Sequence, residues 1–101
     1  MKLNFVVPAM ALMLAIPAFA SQELAQKYAC LGCHGIDKKI VGPAFRDIAS
    51  KYANDNLAST KLFVKVKMGG RGVWGDVPMP PNLEVSDAEL KQILAWVLSL
   101  K

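Results

Sequence analysis

The chain has only two cysteines and one histidine in 101 residues, and that scarcity excludes several chemistries at the outset. A structural zinc site takes four protein ligands, whereas Cys30, Cys33 and His34 are the whole supply of thiol and imidazole. A disulfide across so short a loop would remove little entropy from the unfolded chain. No βαβ pattern surrounds the cysteine pair, as a thioredoxin-like redox motif would require. A clustered basic stripe is also missing. Lys27, Lys38, Lys39, Lys51, Lys61, Lys65, Lys67 and Arg71 are interspersed with acidic and apolar residues, so they read as a solvated surface and not as a nucleic-acid footprint. Internal repeats and low-complexity tracts are absent.

A long uninterrupted apolar run is lacking too. The stretch from about Phe5 to Ile16 is flanked or broken by Asn4, Pro8 and Pro17, whereas a membrane-spanning helix wants about 20 apolar residues. With Lys2 ahead of it and Ala18-Phe19-Ala20 behind it, the stretch reads as a secretory leader of residues 1–20, cut before Ser21. No cysteine stands at the cut to carry a lipid. What remains, 21–101, is one domain of roughly 80 residues, a size at which apolar burial alone leaves a fold marginal. A staple is expected, and a bound cofactor is a better candidate than the two cysteines. All eight acids and all but Lys2 of the twelve basic residues lie in this segment, a mildly basic formal charge of +3.

Periodicity in 21–101 is helical. Ser21 can cap a helix from about Gln22 to Ala29, with Leu24, Ala25 and Tyr28 on one face. Phe45, Ile48, Ala49 and Tyr52 repeat at i, i+3, i+4 and i+7 after the Gly42-Pro43 loop. From Leu57 to Met68 the pattern is mixed, because Phe63 to Lys67 also alternates like a strand. Helix is the reading preferred, since no second strand pattern exists to pair with it and Gly69-Gly70 is a suitable stop. Ser86-Asp87-Ala88-Glu89 has capping-box spacing ahead of the stripe Leu90, Ile93, Leu94, Val97 and Leu98, with Trp96 read as helix-face packing. Gly69 to Val85 has no period, and an irregular segment of that length in a small domain is usually functional or disordered.

Cys30-Leu31-Gly32-Cys33-His34 is the C-x-x-C-H pattern of c-type haem attachment. Two cysteines three apart reach the two vinyl groups of one porphyrin, and the adjacent histidine is then set beneath the iron. The other axial position decides the function: filled, it leaves an electron-transfer centre, and open, it permits gas binding or peroxide chemistry. Met68 and Met79 are the methionines of the segment. Met68 sits at a helix end and reads as an ordinary core residue. Met79 lies in the aperiodic loop between Pro78 and Pro80-Pro81, whose fixed φ would hold a thioether in place.

Taken with these residues, 21–101 resembles the small bacterial class I cytochromes c of the c-551 or c-552 type along essentially its whole length. The resemblance rests on Cys30 to His34, Gly42-Pro43, Gly72-Val73-Trp74-Gly75, Val77-Pro78-Met79-Pro80-Pro81-Asn82 and Ala95-Trp96-Val97. It implies an all-α fold, about four short helices around one covalently bound haem c, with His34 and Met79 as axial ligands. It further implies that the Pro43 carbonyl accepts from the His34 ring, that the Trp74 indole binds a haem propionate, and that Asn82 hydrogen-bonds the Met79 sulfur. Lys65 falls where some relatives carry a propionate-binding arginine, and a lysine offers a point charge there in place of a planar fork. Arg71 is the alternative for that contact.

The expected function is that of a periplasmic one-electron carrier and not an enzyme, cycling iron between Fe(III) and Fe(II). Its partners would be redox proteins: a quinol-oxidising complex or another cytochrome as donor, a nitrite reductase or terminal oxidase as acceptor. No nucleic acid, no membrane insertion of 21–101 and a monomeric state are expected. The rival readings are an open-site haem enzyme or gas sensor, and a thiol-disulfide oxidoreductase acting through Cys30 or Cys33.

Overall fold

The computed structural model describes residues 18–101, so the expected leader lies outside the described residues except for its last three. Four helices form: α1 (Ala18–Lys27), α2 (Phe45–Lys51), α3 (Ala58–Met68) and α4 (Asp87–Leu98). A single 3-10 turn, Cys30–Gly32, lies between α1 and α2. Among the described residues there is no strand beyond two isolated β-bridges. The fold is the all-α arrangement expected, with α4 packed against α1, α2 and α3.

α1 differs in detail from its expected bounds. It begins at Ala18, so Ser21 lies inside the helix and is buried instead of capping it. In the uncleaved chain Ala18 and Ala20, the strongest helix-forming type, supply a turn ahead of Ser21, which removes the need for its hydroxyl as a cap there. At the other end Ala29 adopts φ 62°, a left-handed position that stops the helix two residues early. For a residue with a Cβ that conformation costs roughly 1–2 kcal/mol.

α2 and α3 follow their apolar stripes. Phe45, Ile48 and Ala49 are buried on α2, and Ala58 and Leu62 on α3. The helix reading of Phe63 to Lys67 holds. Met68 is corrected: it is 75% exposed, not core. Six residues beyond Leu62 a helix has turned well past its buried face, whereas Val66, four beyond, packs against the core.

α4 carries the largest buried stripe, Leu90, Ile93, Leu94 and Val97, and Trp96 is buried edge-on to Phe45 with ring centroids 5.7 Å apart. Its N-terminus is capped as expected, with Ser86 Oγ accepting from the Glu89 N–H at 3.2 Å. The Glu89 carboxylate accepts from Tyr28 Oη at 2.7 Å and from Ser86 Oγ at 3.0 Å, which ties α4 to the end of α1. The Tyr28 hydrogen bond first, then the Ser86 one, hold the Glu89 carboxyl below its ordinary value of 4.5, with Lys27 adding. A carboxyl lowered by folding contributes stability above pH 4.5 that is lost as pH falls through the depressed folded value. Glu89→Gln is therefore expected to lower the unfolding midpoint at pH 7, and thermal unfolding followed at decreasing pH should find the gap to the parent closing as pH falls below 4.5.

Candidate functional site

The helices and the loops between them enclose an open cavity of about 620 Å³. Ligand sites of cofactor size run from about 300 to 1,000 Å³. Its inner wall is apolar, built from Ile48 of α2, Leu62 and Val66 of α3, and Leu90, Ile93, Leu94 and Val97 of α4. Every residue singled out from sequence lines it: Cys30, Cys33, His34, Pro43, Lys65, Trp74, Met79 and Asn82. The chain thus gathers onto one cavity residues that lie up to half its length apart.

The cysteine pair and the histidine share one tight turn. His34 and Cys33 both donate backbone hydrogen bonds to the Cys30 carbonyl, at 3.0 and 3.2 Å. Cys30 is half-buried and Cys33 exposed, and the two are not joined in a disulfide. Burial pushes the Cys30 thiol above its ordinary value of 9.0, and repulsion from Cys33 adds to this. That is the opposite direction from a reactive redox thiol, whose surroundings favour the thiolate.

His34 is buried and fixed on three sides. Its Nδ1 lies 2.7 Å from the Pro43 carbonyl oxygen. A carbonyl only accepts, so Nδ1 carries the ring proton and Nε2 keeps a lone pair for a metal. One ring face stacks on Phe45, centroids 5.1 Å apart and planes 18° apart. Gly42 closes the ring in as well, because a Cβ there would lie 2.5 Å from His34 Cε1 and 2.9 Å from Nδ1. The Val41 and Gly42 N–H groups both donate to the Cys33 carbonyl, at 3.0 and 2.8 Å, and so bring this loop back over the turn.

Met79 is held by backbone more than by its prolines. It forms an isolated antiparallel bridge with Gly70, donating to the Gly70 carbonyl at 2.8 Å and accepting from the Gly70 N–H at 3.0 Å. Gly69, which ends α3, sits at φ 73°, ψ −177°, a region that essentially only glycine adopts. A Cβ there would also strike the Met79 carbonyl oxygen at 2.6 Å and the Pro81 nitrogen at 2.8 Å. Beyond Met79 the Asn82 N–H donates to the Val66 carbonyl at 2.8 Å. The Asn82 side chain donates to the Tyr28 carbonyl at 3.2 Å and accepts from the Glu84 and Val85 N–H groups. Among the described residues one of its amide hydrogens makes no hydrogen bond. Lys67 donates to the Val85 carbonyl and pairs with Asp87 at 3.2 Å, closing the segment against α3.

This anchoring is what sequence reasoning missed. Gly69-Gly70 reads as a helix stop, and a bridge one residue long leaves no periodic trace. Lys65 and Arg71 both line the cavity, and with Glu84 they are the only charged residues that do. The Lys65 ammonium lies against Gly70, 3.1 Å from where a Cβ would stand. The donor set is soft: one imidazole with a free Nε2, one thioether and two thiols on apolar walls. It suits a haem iron far better than a hard, oxygen-seeking cation, and among the described residues no group of three or more His, Cys, Asp or Glu could hold a metal by itself.

Comparison with known proteins agrees with this geometry. Residues 20–101 match the family model described as Cytochrome c. Cytochrome c-552 of Nitrosomonas europaea is 50% identical over 93 residues, spanning 92% of this chain and 90% of that protein. Cytochrome c-551 of Pseudomonas aeruginosa is 46% identical over 79% of this chain and 76% of its own length. The crystal structure of wild-type N. europaea cytochrome c552 superposes with a TM-score of 0.76 at 51% identity, covering 79% of this chain and 99% of that one.

Proposed function

Because the chain belongs to the cytochrome c family, we propose that it is a periplasmic carrier of single electrons, a monohaem domain of residues 21–101 behind a cleaved leader of residues 1–20. Its similarity is to small cytochromes c-551 and c-552, which are electron carriers, and family membership implies a covalently bound haem c. When bound, the haem supplies a one-electron couple between Fe(III) and Fe(II). Cys30 and Cys33 would hold it through two thioether bonds, and His34 Nε2 and the Met79 sulfur would ligate its iron.

The observation that carries this reading is that the two axial donors are each immobilised from behind, on one apolar cavity. His34 has its second nitrogen engaged by Pro43, and Met79 has its backbone locked to Gly70. If both donors bind the iron, neither is free to make way for a substrate, which favours a carrier over an enzyme. Trp74 and Lys65, with Arg71 beside them, supply an N–H donor and cationic groups for propionates, and the free amide hydrogen of Asn82 serves the Met79 sulfur.

The carrier reading implies brief docking to redox proteins, with interfaces below about 1,200 Å². A quinol-oxidising complex or another cytochrome would donate, and a nitrite reductase or terminal oxidase would accept. Two ionised propionates would leave a net charge of about +1, so the arrangement of lysines, more than the total, governs steering. Among the described residues no helix is long and apolar enough to cross a membrane, and the chain acts as a monomer with no nucleic-acid role.

The test is an optical spectrum of the purified exported protein, oxidised, reduced, and reduced under carbon monoxide. Sharp low-spin bands indifferent to carbon monoxide are expected. High-spin bands that shift with carbon monoxide would replace the carrier by an open-site enzyme or sensor, and a colourless protein would return the cysteine pair to thiol chemistry.

A further inference from the structure

Between the two partners of the Gly70–Met79 bridge the chain makes an excursion, residues 71–78, that leaves and rejoins the body at that one point. Its backbone hydrogen bonding, among the described residues, is internal: the Gly72 N–H donates to the Gly75 carbonyl at 2.8 Å. Val73, Trp74 and Val77 are 46%, 44% and 64% exposed, yet every residue of the excursion except Asp76 lines the cavity. It is a flap across the mouth, hinged at the bridge and held by few bonds of its own.

One contact reaches it from outside. Lys51, the last residue of α2, carries its Nζ over the Trp74 ring, 5.2 Å from the centroid. That lies within the roughly 6 Å over which a cation is drawn to an indole face. Lys51 does not line the cavity, so its ammonium has no part in the cavity wall and acts on the flap through the ring alone.

We propose that Lys51 is a positioning residue that latches the 71–78 flap closed over the cofactor cavity through the face of Trp74. Apart from the Trp74 and Arg71 groups offered to the haem propionates, the flap has no other polar tie to the body among the described residues, so it can open by a local motion that leaves the helices packed. The latch sets how often it does so. An exposed cation–π contact changes such an opening equilibrium about 2- to 5-fold. The proposal rests on the electron-carrier reading for what the flap covers and for the propionate contacts of Trp74 and Arg71 that hold the flap alongside the latch.

Hydrogen exchange measured by NMR on the holoprotein tests it, with the Val73 to Val77 amides and the Trp74 indole N–H compared in the parent, Lys51→Gln and Lys51→Arg. Lys51→Gln is expected to speed exchange in the flap ~2- to 5-fold with the α4 amides unchanged, and Lys51→Arg to restore the parent rate, because a guanidinium stacks on indole as well. Unchanged flap exchange in Lys51→Gln overturns the latch. So does acceleration that extends to α4, which marks general destabilisation, or acceleration equal in Lys51→Arg, which marks a role outside the ring contact. The spectrum recorded on the same samples separates the two conclusions. Haem-free protein sinks the electron-carrier reading, whereas spectrally normal protein with unaltered exchange sinks the latch alone.

Discussion

Met79→Ala is expected to give a folded, coloured protein whose oxidised form turns high-spin, whose reduced form binds carbon monoxide, and whose potential falls by on the order of 0.1 V, a fraction of the roughly 0.8 V that axial ligation spans. The fold survives because the loop does not depend on the thioether. The Gly70 bridge and the Asn82-to-Val66 hydrogen bond are backbone contacts that alanine keeps, and the Met79 side chain is half-buried, so truncation costs about 2 kcal/mol, the low end for methionine. The potential falls because a thioether opposite imidazole favours the reduced iron. Met68→Ala is the internal control. That side chain is exposed on α3 and outside the cavity, so spectrum and potential should match the parent. A low-spin Met79→Ala protein indifferent to carbon monoxide would remove Met79 from the ligand set.

Gly42→Ala is expected to be nearly as damaging, although it replaces neither a cysteine nor a ligand residue. The added Cβ would stand 2.5 Å from His34 Cε1. The ring has nowhere to go, with Phe45 stacked on it and Pro43 holding Nδ1. Overpacking of this kind costs about 1–3 kcal/mol, and the upper end applies because the relaxation that would lower it breaks the Pro43 hydrogen bond that orients the ring. Urea unfolding of the holoprotein should register the loss, and the yield of haem-loaded protein should drop with it. Gly32→Ala, between the two cysteines, is the contrast, since a Cβ there meets nothing within 4 Å. Equal stability of the two variants would refute the steric account.

The difference between these glycines marks the limit of what the sequence displays. α2, α3 and α4 are legible because Phe45, Ile48 and Ala49, or Leu90, Ile93, Leu94 and Val97, repeat at the helical period, and Ser86 to Glu89 announces its own cap. The attachment motif is legible because its residues are adjacent. What supports them is not. Gly42 against His34, Gly70 against Met79 and Tyr28 on Glu89, 61 residues away, are single contacts with no period. Ser21 and Met68 went astray for a related reason. A cap or a helix-end side chain is decided by what lies one turn away in space, and a turn of alanine-rich chain before Ser21 was enough to absorb it into α1.

The bridge at Met79 and the carbonyl clamp on His34 also bear on speed. In the carrier reading an arriving electron would change the charge between His34 and Met79 by one unit, and any ligand free to shift would have to move first and move back afterwards, slowing every exchange. Here the donors hang on backbone that is hydrogen-bonded on both sides of Met79 and on a ring pinned against Phe45 and Gly42. A polar frame set in advance has little left to rearrange at the moment of transfer. Such a frame would let an electron carrier accept and release charge with almost the same geometry, so that contact with a partner would need to last only as long as the collision that brings the two together.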